Sequence, residues 1–415
     1  MNSNIKLYFD SKLLIFVIFS SLPIVYVLGS PFVNFVLIVS SFIFLYSKIK
    51  NKDFNWLNKY SSKLFLIFWF YIIFLSFFSS DVYNSFRGSF FFIRFFLFMN
   101  FVAWALNEQK NLFKSLNFWL IIILLVSLDI YYQFIFGVDI FGYTKQGARF
   151  AGPFGDELIA GAYLSIFTII IFCYSFLNRE LKNKIFFYLL IFLIIFSIVI
   201  TGERLSFLQC LFFFFLFFLM IIFKYKKIKF FLTFFILSTI TIYLSYNFNN
   251  DFKSRYNDFY KIILSPEKSS YGKLFYSSYK LWSQNLIFGV GVKNYRVDCD
   301  IEVKDEMLEN KAQLCSSHPH NFYLEILSET GIVGFILFLL FLLFFLYENF
   351  IKKRNYDLFR LGLLIYLFVK FIPISTSGSF FTTWNGSFIW LILGFILAKE
   401  DKTNIKILSK NDKVI

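Results

Sequence analysis

IFFYLLIFLIIFSIVITGERLSFLQCLFFFFLFFLMIIF, residues 185–223, holds two apolar runs separated only by the turn Thr201-Gly-Glu-Arg204. Each run approaches the roughly twenty residues that cross about 30 Å of hydrocarbon as a helix. Neither alternates apolar with polar positions, as a barrel strand would. Backbone in lipid must close its hydrogen bonds within the segment, so the stretch reads as two transmembrane helices joined by a tight hairpin.

The same texture covers most of the chain. Hydrophobic residues make up 58% of it, 67 of 415 residues are Phe, and the mean hydropathy is +0.66, beyond what the core of a water-soluble globule needs. Apolar runs at 12–29, 31–47, 64–80, 87–106, 116–137, 157–177, 185–201, 205–223, 230–247, 331–349, 358–374 and 383–398 predict an all-α polytopic membrane protein of about twelve transmembrane helices. Segment 1–246 would carry the first nine spans, 247–330 a long loop with short interfacial helices, 331–398 the last three spans and 399–415 a tail. No internal repeat of the kind found in many transporters is visible. The Phe-rich runs read as lipid-facing bulk under a compositional bias.

Every second connection is basic, including Lys48, Lys50 and Lys52, then Lys110 and Lys114, then Lys224, Lys226 and Lys227, then Lys352 and Lys353. The tails add Lys6, Lys12, Lys399 and Lys402. By the positive-inside rule these sides and both termini are cytoplasmic. The net charge of +15 is then a topology signal that also attracts anionic lipid headgroups, and nucleic-acid binding is set aside. The first span lacks a small-residue cleavage pattern and is read as retained.

The outward connections are short except 247–330, which is rich in Tyr, Ser, Asn and charged residues. Within it, Leu274, Ser278, Leu281 and Trp282 have helical spacing, which predicts an interfacial helix over 271–283. Gly289-Val-Gly291 marks a turn. Asn321, Glu325 and Glu329, four apart, predict a helix with one polar stripe that stops at Gly331. Cys173 and Cys210 fall in spans, whereas Cys299 and Cys315 share the outward loop, where an oxidising compartment permits a disulfide.

The chain has two histidines, both in Cys315-Ser-Ser-His-Pro-His-Asn321. With Pro319 in a first helical turn and Ser317 or His318 as cap, His320 would sit where the helix dipole disfavours its protonated form, ready to accept a proton. Two other readings stay open: both histidines merely cap a helix at the interface, or Cys299, Cys315, His318 and His320 bind a metal, although that spacing is unlike usual zinc modules.

Arg204, between two spans, is costly close to hydrocarbon and reads as a ligand for a phosphate or carboxylate. Lys145, Arg149, Arg255, Lys273 and Arg296 are outward cations that could converge with it, and together they favour an anionic substrate. Arg87 and Lys370 could snorkel to an interface, and Arg94 could pair with Asp129 inside the bundle. No phosphate-binding Gly-rich loop, nucleophile elbow or dinucleotide fingerprint is present.

His320-Asn321, nine residues, Gly331, two residues and Gly334 form a His-Asn-x9-Gly-x-x-Gly pattern that resembles the bacterial O-antigen ligase and O-antigen polymerase superfamily, in the setting Pro-His-Asn-x-Tyr-Leu-Glu-x-Leu-x-Glu-Thr-Gly. Thr201-Gly-Glu-Arg204 is similar to that family's Arg after a span. Asn285-Leu-Ile-Phe-Gly-Val-Gly291 resembles its Asn-Pro-x-x-Gly-x-Gly turn, with Leu286 in place of Pro. Arg149-Phe-Ala-Gly-Pro-Phe-Gly resembles a recurrent outward segment. The motif-bearing region runs over about 185–347.

The resemblance implies a GT-C-like bundle that acts as a metal-independent, inverting glycosyltransferase of the inner membrane, with no cofactor. Its donor would be an undecaprenyl-diphosphate-linked glycan. Its acceptor would be lipid A-core for a ligase or another lipid-linked glycan for a polymerase, and the ligase label fits the motif more closely. Membrane lipids and polysaccharide-assembly proteins would be its surroundings. His320 would be the catalytic base and Arg204 a catalytic cation, with Lys273, Arg255, Arg296, Arg149 and Asn321 binding substrate. The family's second loop Arg has Lys273 as its nearest counterpart by distance from the His, and Arg255 and Arg296 are the alternatives. A transporter of lipid-linked oligosaccharide and a non-catalytic glycan binder are the rival readings. A transporter would show internal pseudo-symmetry and charges near mid-membrane, whereas the distinctive residues here gather at the outer face.

Overall fold

The computed structural model of the chain describes residues 11–178, 185–225, 250–302, 315–352 and 357–398, with scattered positions between 181 and 247. Among these the protein is all-helical, with two isolated bridges in the segment before the seventh helix. The helices are α1 (Ser11–Val27), α2 (Ser30–Lys50), α3 (Tyr60–Ser76), α4 (Val82–Phe90), α5 (Ile93–Glu108), α6 (Ser115–Phe136), α7 (Ala160–Ser175), α8 (Ile185–Ile200), α9 (Arg204–Tyr225), α10 (Asn250–Leu264), α11 (Ser270–Gln284), α12 (Tyr295–Glu302), α13 (Phe322–Leu346), α14 (Leu358–Lys370) and α15 (Thr383–Leu397).

Five stretches are long and apolar enough to cross a membrane: Ser30–Lys50, Val82–Glu108, Leu112–Phe136, Arg204–Phe223 and Phe322–Ile351. Five shorter apolar helices accompany them, at Lys12–Val27, Tyr60–Ser76, Ala160–Ser175, Ile185–Ile200 and Thr383–Leu397. The expected span at 230–247 falls largely outside the described residues.

The expected single span at 87–106 is instead broken between α4 and α5. The Trp69 indole N–H donates to the carbonyls of Ser89 (3.0 Å) and Phe90 (3.1 Å), an inserted side chain that takes over groups the helix ladder would use. The expected Arg94–Asp129 pair does not form. Arg94 donates to the Phe91 carbonyl (2.8 Å) and the Thr383 hydroxyl (3.1 Å), while Asp129 accepts from the Ile140 amide.

Phenylalanine serves two environments, which corrects its reading as lipid-facing bulk. Phe35, Phe42, Phe70 and Phe78 face outward, but Phe65, Phe92 and Phe96 are buried against Trp390 or one another. Offset and edge-on ring contacts fill much of the space between α3, α5 and α15.

The connections sort by end. At one end, Ser80 bonds Asp298, Asp81 bonds Asn294, Phe150 bonds Thr201, Gly161 bonds Glu203, and Gln209 bonds Ser375. At the other, Lys48 meets Asp53, and Glu348 accepts from Tyr60 and Ser61. The segments expected on the outward side therefore hydrogen-bond with one another. The interfacial helix expected over 271–283 is α11, and α10 precedes it.

Candidate active site at the gathered loops

The site begins with a break in a helix. Gly331 takes φ 65° and ψ −174° inside α13, a conformation open to glycine and strained for other residues, so the ladder opens there. The turn 285–291 inserts into the opening. Val290 and Gly291 amides donate to the carbonyls of Ser328 (3.0 Å) and Glu329 (2.8 Å). The amides of Ile332 and Val333 donate to Leu286 (2.9 Å) and Ile287 (3.3 Å), and the Tyr71 hydroxyl takes the Thr330 carbonyl (2.8 Å). These bonds give partners to the carbonyls of residues 328–330 and the amides of Ile332 and Val333, as buried polar groups require. The two glycine-bearing motifs are thus halves of one joint.

That joint sets where the first part of α13 starts, and Asn321 is its cap. The Asn321 side-chain oxygen accepts from the amides of Tyr323 (3.0 Å) and Leu324 (3.1 Å), and its amide donates to the carbonyls of Pro373 (2.7 Å) and Ser375 (3.2 Å). This corrects two expectations. Neither Ser317 nor His318 is the cap, and His320 lies one residue before the cap instead of in the first turn of the helix. Asn321 is 3% exposed, and both its side-chain oxygen and its amide are engaged in these bonds, which fix the backbone next to His320.

His320 adopts φ 56°, the left-handed region that a β-carbon disfavours. Its carbonyl accepts from the Ser377 amide at 2.7 Å, which holds the strained residue from the 371–382 segment. The imidazole packs edge-on against Tyr271 of α11, with ring centroids 5.6 Å apart, and against His318 at 4.0 Å. Burial holds His320 below the ordinary histidine range. His318 is pushed down to about 4, by burial first, then by its neighbours His320 and Arg296. His318 contacts the Ser317 hydroxyl through Nδ1 (3.0 Å), and its buried Nε2 has no hydrogen-bond partner.

The carboxylates of the polar stripe turn inward. Glu325 accepts from the Ser379 hydroxyl (2.5 Å) and the Phe380 amide (2.7 Å), fastening the 371–382 segment, while Glu329 accepts weakly from the Tyr295 amide (3.4 Å). Cys299 and Cys315 form a disulfide that ties α12 to the residues just ahead of His318, so neither sulfur is available to the metal site once considered.

The cations fall into groups. Arg204 opens α9 and lies over the Phe259 ring of α10 at 5.8 Å. Its neighbour Glu203 turns away from it. The Glu203 carboxylate accepts from the Gly161 (2.7 Å) and Ala162 (3.1 Å) amides at the start of α7 and from Ser206, with Arg149 4.0 Å away. Burial raises the Glu203 carboxyl against the pull of Arg149. Arg149 also donates to the Leu158 carbonyl (2.8 Å), so it braces this hairpin. Lys370, ending α14, lies within electrostatic reach of Glu203.

Nothing in the sequence signals how α9 meets the histidines. Gln209, buried and five residues past Arg204, donates to the Ser375 hydroxyl (3.1 Å), and the Ser375 carbonyl accepts from Asn321. The link ties the Arg204 helix to the His320 segment through one serine. From the loop side, Lys273 sits in the first turn of α11, two residues from Tyr271, and exposed Arg296 acts electrostatically on His318. The backbone of Arg255 lies in α10, and its side chain is outside the described residues.

Residues 189–339 match the family model described as O-antigen ligase. The comparison with curated proteins finds no match. The matched stretch contains Arg204, Gln209, Lys273, Arg296, the His320-Asn321 pair and the Gly289–Gly331 joint, and over this stretch the chain is similar to the O-antigen ligase family.

Proposed function

We propose that the protein is a metal-independent, inverting glycosyltransferase that moves a glycan from an undecaprenyl-diphosphate donor to an acceptor hydroxyl at the periplasmic face of a bacterial inner membrane. In this reading about twelve helices span the membrane and both termini are cytoplasmic. The family match supports O-antigen ligase or polymerase activity in general, and lipid A-core is the acceptor we assign.

The observation that carries the reading is His320: a strained, partly buried imidazole held below its ordinary pKa range, with Arg296 acting on its neighbour His318 and with α9 and α11, the helices of Arg204 and Lys273, joined to its segment through Gln209 and Tyr271. A neutral imidazole can take the acceptor's proton as the hydroxyl oxygen attacks the anomeric carbon. The bond from that carbon to the diphosphate oxygen breaks, and the lipid diphosphate leaves with the electron pair. Arg204 and a loop cation, Lys273 or Arg255, meet the growing charge, as positioned donors do in the absence of a metal. One displacement inverts the anomer.

The polymerase reading shares every one of these groups and differs only in acceptor. Reconstitution of the full chain with a lipid-diphosphate glycan and either acceptor tests the assignment. Glycan-capped lipid A-core is the expected product. Elongated lipid-linked chains alone reassign the protein as a polymerase, and no transfer to either acceptor overturns the proposal.

A further inference from the structure

A second set of cations stands apart from the Arg204 hairpin. Arg87 on α4 and Arg94 at the start of α5, with Lys293 in the turn after Gly291 and Arg296 at the start of α12, come from two segments far apart in the chain. The contacts that assemble them are specific. The Lys293 stem packs on α4, where a β-carbon at Gly88 would lie 3.1 Å from Lys293 Cδ. Asn294 accepts from the Asp81 amide (2.8 Å), and Asp298 from the Ser80 hydroxyl (2.5 Å), fixing the turn and α12 against the start of α4.

Lys293 is half-buried, takes φ 64°, and is held below the ordinary lysine range by burial first, then by Arg94 and Arg296, with Arg87 adding to them against the pull of Glu329. The surrounding carboxylates Asp81, Glu325 and Glu329 act on Arg296 through space, and the nearest hydrogen-bond partners of several of them are neutral groups. Asp81 is used by the Asn84 amide and side chain, Glu325 by Ser379 and Phe380, and Asp298 by Ser80. Among the described residues no carboxylate lies within ion-pair distance of Arg87, Lys293 or Arg296. Arg94 has its terminal nitrogens on Phe91 and Thr383 and contributes mainly its field, whereas Arg87 and Arg296 are exposed. Folding thus holds like charges together where α4, α5 and α12 meet, an arrangement that an anion with several acceptor oxygens would relieve.

We propose that Arg87, Lys293 and Arg296, backed by Arg94, form a second phosphate site, separate from Arg204, that holds a phosphate group carried on a lipid. The proposal rests on the transferase reading for its use: with the donor diphosphate at Arg204, this site receives the phosphate of the second lipid at the reaction. Arg296, within electrostatic reach of His318, links it to the histidines.

The test uses the purified full chain in phosphatidylcholine nanodiscs, with inorganic pyrophosphate as probe. In an Arg204→Gln background, pyrophosphate binding should persist and then weaken at least about tenfold on adding Arg87→Gln and Lys293→Gln, the loss expected for charge-assisted contacts. Gln at 293 keeps most of the stem that packs on Gly88, and Lys293→Arg should restore binding. Unchanged binding in the triple variant overturns the site. Two further arms distinguish the source of the phosphate. If the acceptor supplies it, Arg87→Gln/Lys293→Gln raises KM for a phosphorylated acceptor, leaves donor KM unchanged, and does not affect a dephosphorylated acceptor. If a membrane lipid supplies it, phosphatidylglycerol in the nanodisc competes with pyrophosphate and acceptor KM does not move. A chain that binds pyrophosphate at this site yet transfers no glycan refutes the transferase reading and leaves the site standing.

Discussion

Gly289 lies directly against Gly331, forty-two residues away: a β-carbon on Gly289 would stand 2.5 Å from the Gly331 amide nitrogen. Both glycines have positive φ, 68° and 65°. One of them ends the loop turn and the other breaks α13, and their contact lets the turn's backbone replace the missing helical bonds.

Gly331→Ala combines a disfavoured backbone with a collision against the Ile287 carbonyl, which a rigid joint cannot relieve. The variant should lose about 1–3 kcal/mol or more of stability, from the strain alone. Thermal unfolding in detergent measures it, and transfer activity should fall with stability because the joint positions Asn321 and His320. An unaltered midpoint would mean the break in α13 is not needed.

His320→Asn separates strain from chemistry, because Asn tolerates the left-handed region but has no base of suitable pKa. Expression and unfolding should stay close to the parent, and transfer should drop by about 10²–10⁴, the usual contribution of a general base. His318→Asn, which leaves His320 in place, should retain most of the activity. Full activity in His320→Asn removes His320 as the base.

Burial lowers both histidines, so the sign of the pH response is set. The unfolded chain takes up protons near about pH 6.5, and the folded chain does so only at lower pH. Stability contributed by the neutral rings is therefore complete above that value. For His318 it is lost between about 6.5 and its folded pKa of about 4. Transfer should accordingly persist at pH values where an ordinary histidine is already protonated, and decline below them. A rate profile whose acid limb falls at or above the ordinary histidine value contradicts a buried His320 base.

The Cys299–Cys315 bridge closes a sixteen-residue separation next to the histidines. Loops of this size lose about 3 kcal/mol of unfolded-state entropy on closure. Reductant should lower the unfolding midpoint of the parent and leave a Cys299→Ser/Cys315→Ser variant unaffected. Equal responses of the two would show that the bridge does not form in the membrane protein.

Arg204→Lys keeps the charge at the head of α9 and removes the planar fork of donors. The fold should persist, and donor KM should rise about tenfold with acceptor KM unchanged, the scale of one lost charge-assisted contact. Unchanged kinetics with the lipid-diphosphate donor would take Arg204 out of the donor site.

The sequence by itself determined the environment and the local breaks. Hydrocarbon leaves a backbone no choice but internal hydrogen bonds, so the runs in 185–223 could only be helices, and Gly331 ended a polar-striped helix because no other residue accepts its conformation at little cost. His320, Arg204 and the loop cations were also legible, since charges and imidazoles are conspicuous in an apolar chain. Only the tertiary structure decided what those residues do for one another. Asn321 became the cap because the carbonyls of Pro373 and Ser375 take its amide. Glu203 left Arg204 for the amides of α7. Gln209 reached Ser375 across 166 positions of chain. Lys293, unremarkable as sequence, gained meaning only when the glycine turn docked on α4 beside Gly88. Hydropathy and local spacing report on the solvent and on neighbours a few residues away. Hydrogen bonds and charge clusters between distant segments depend on which helices pack together, and a backbone break such as the one at Gly331 is what brings them within reach.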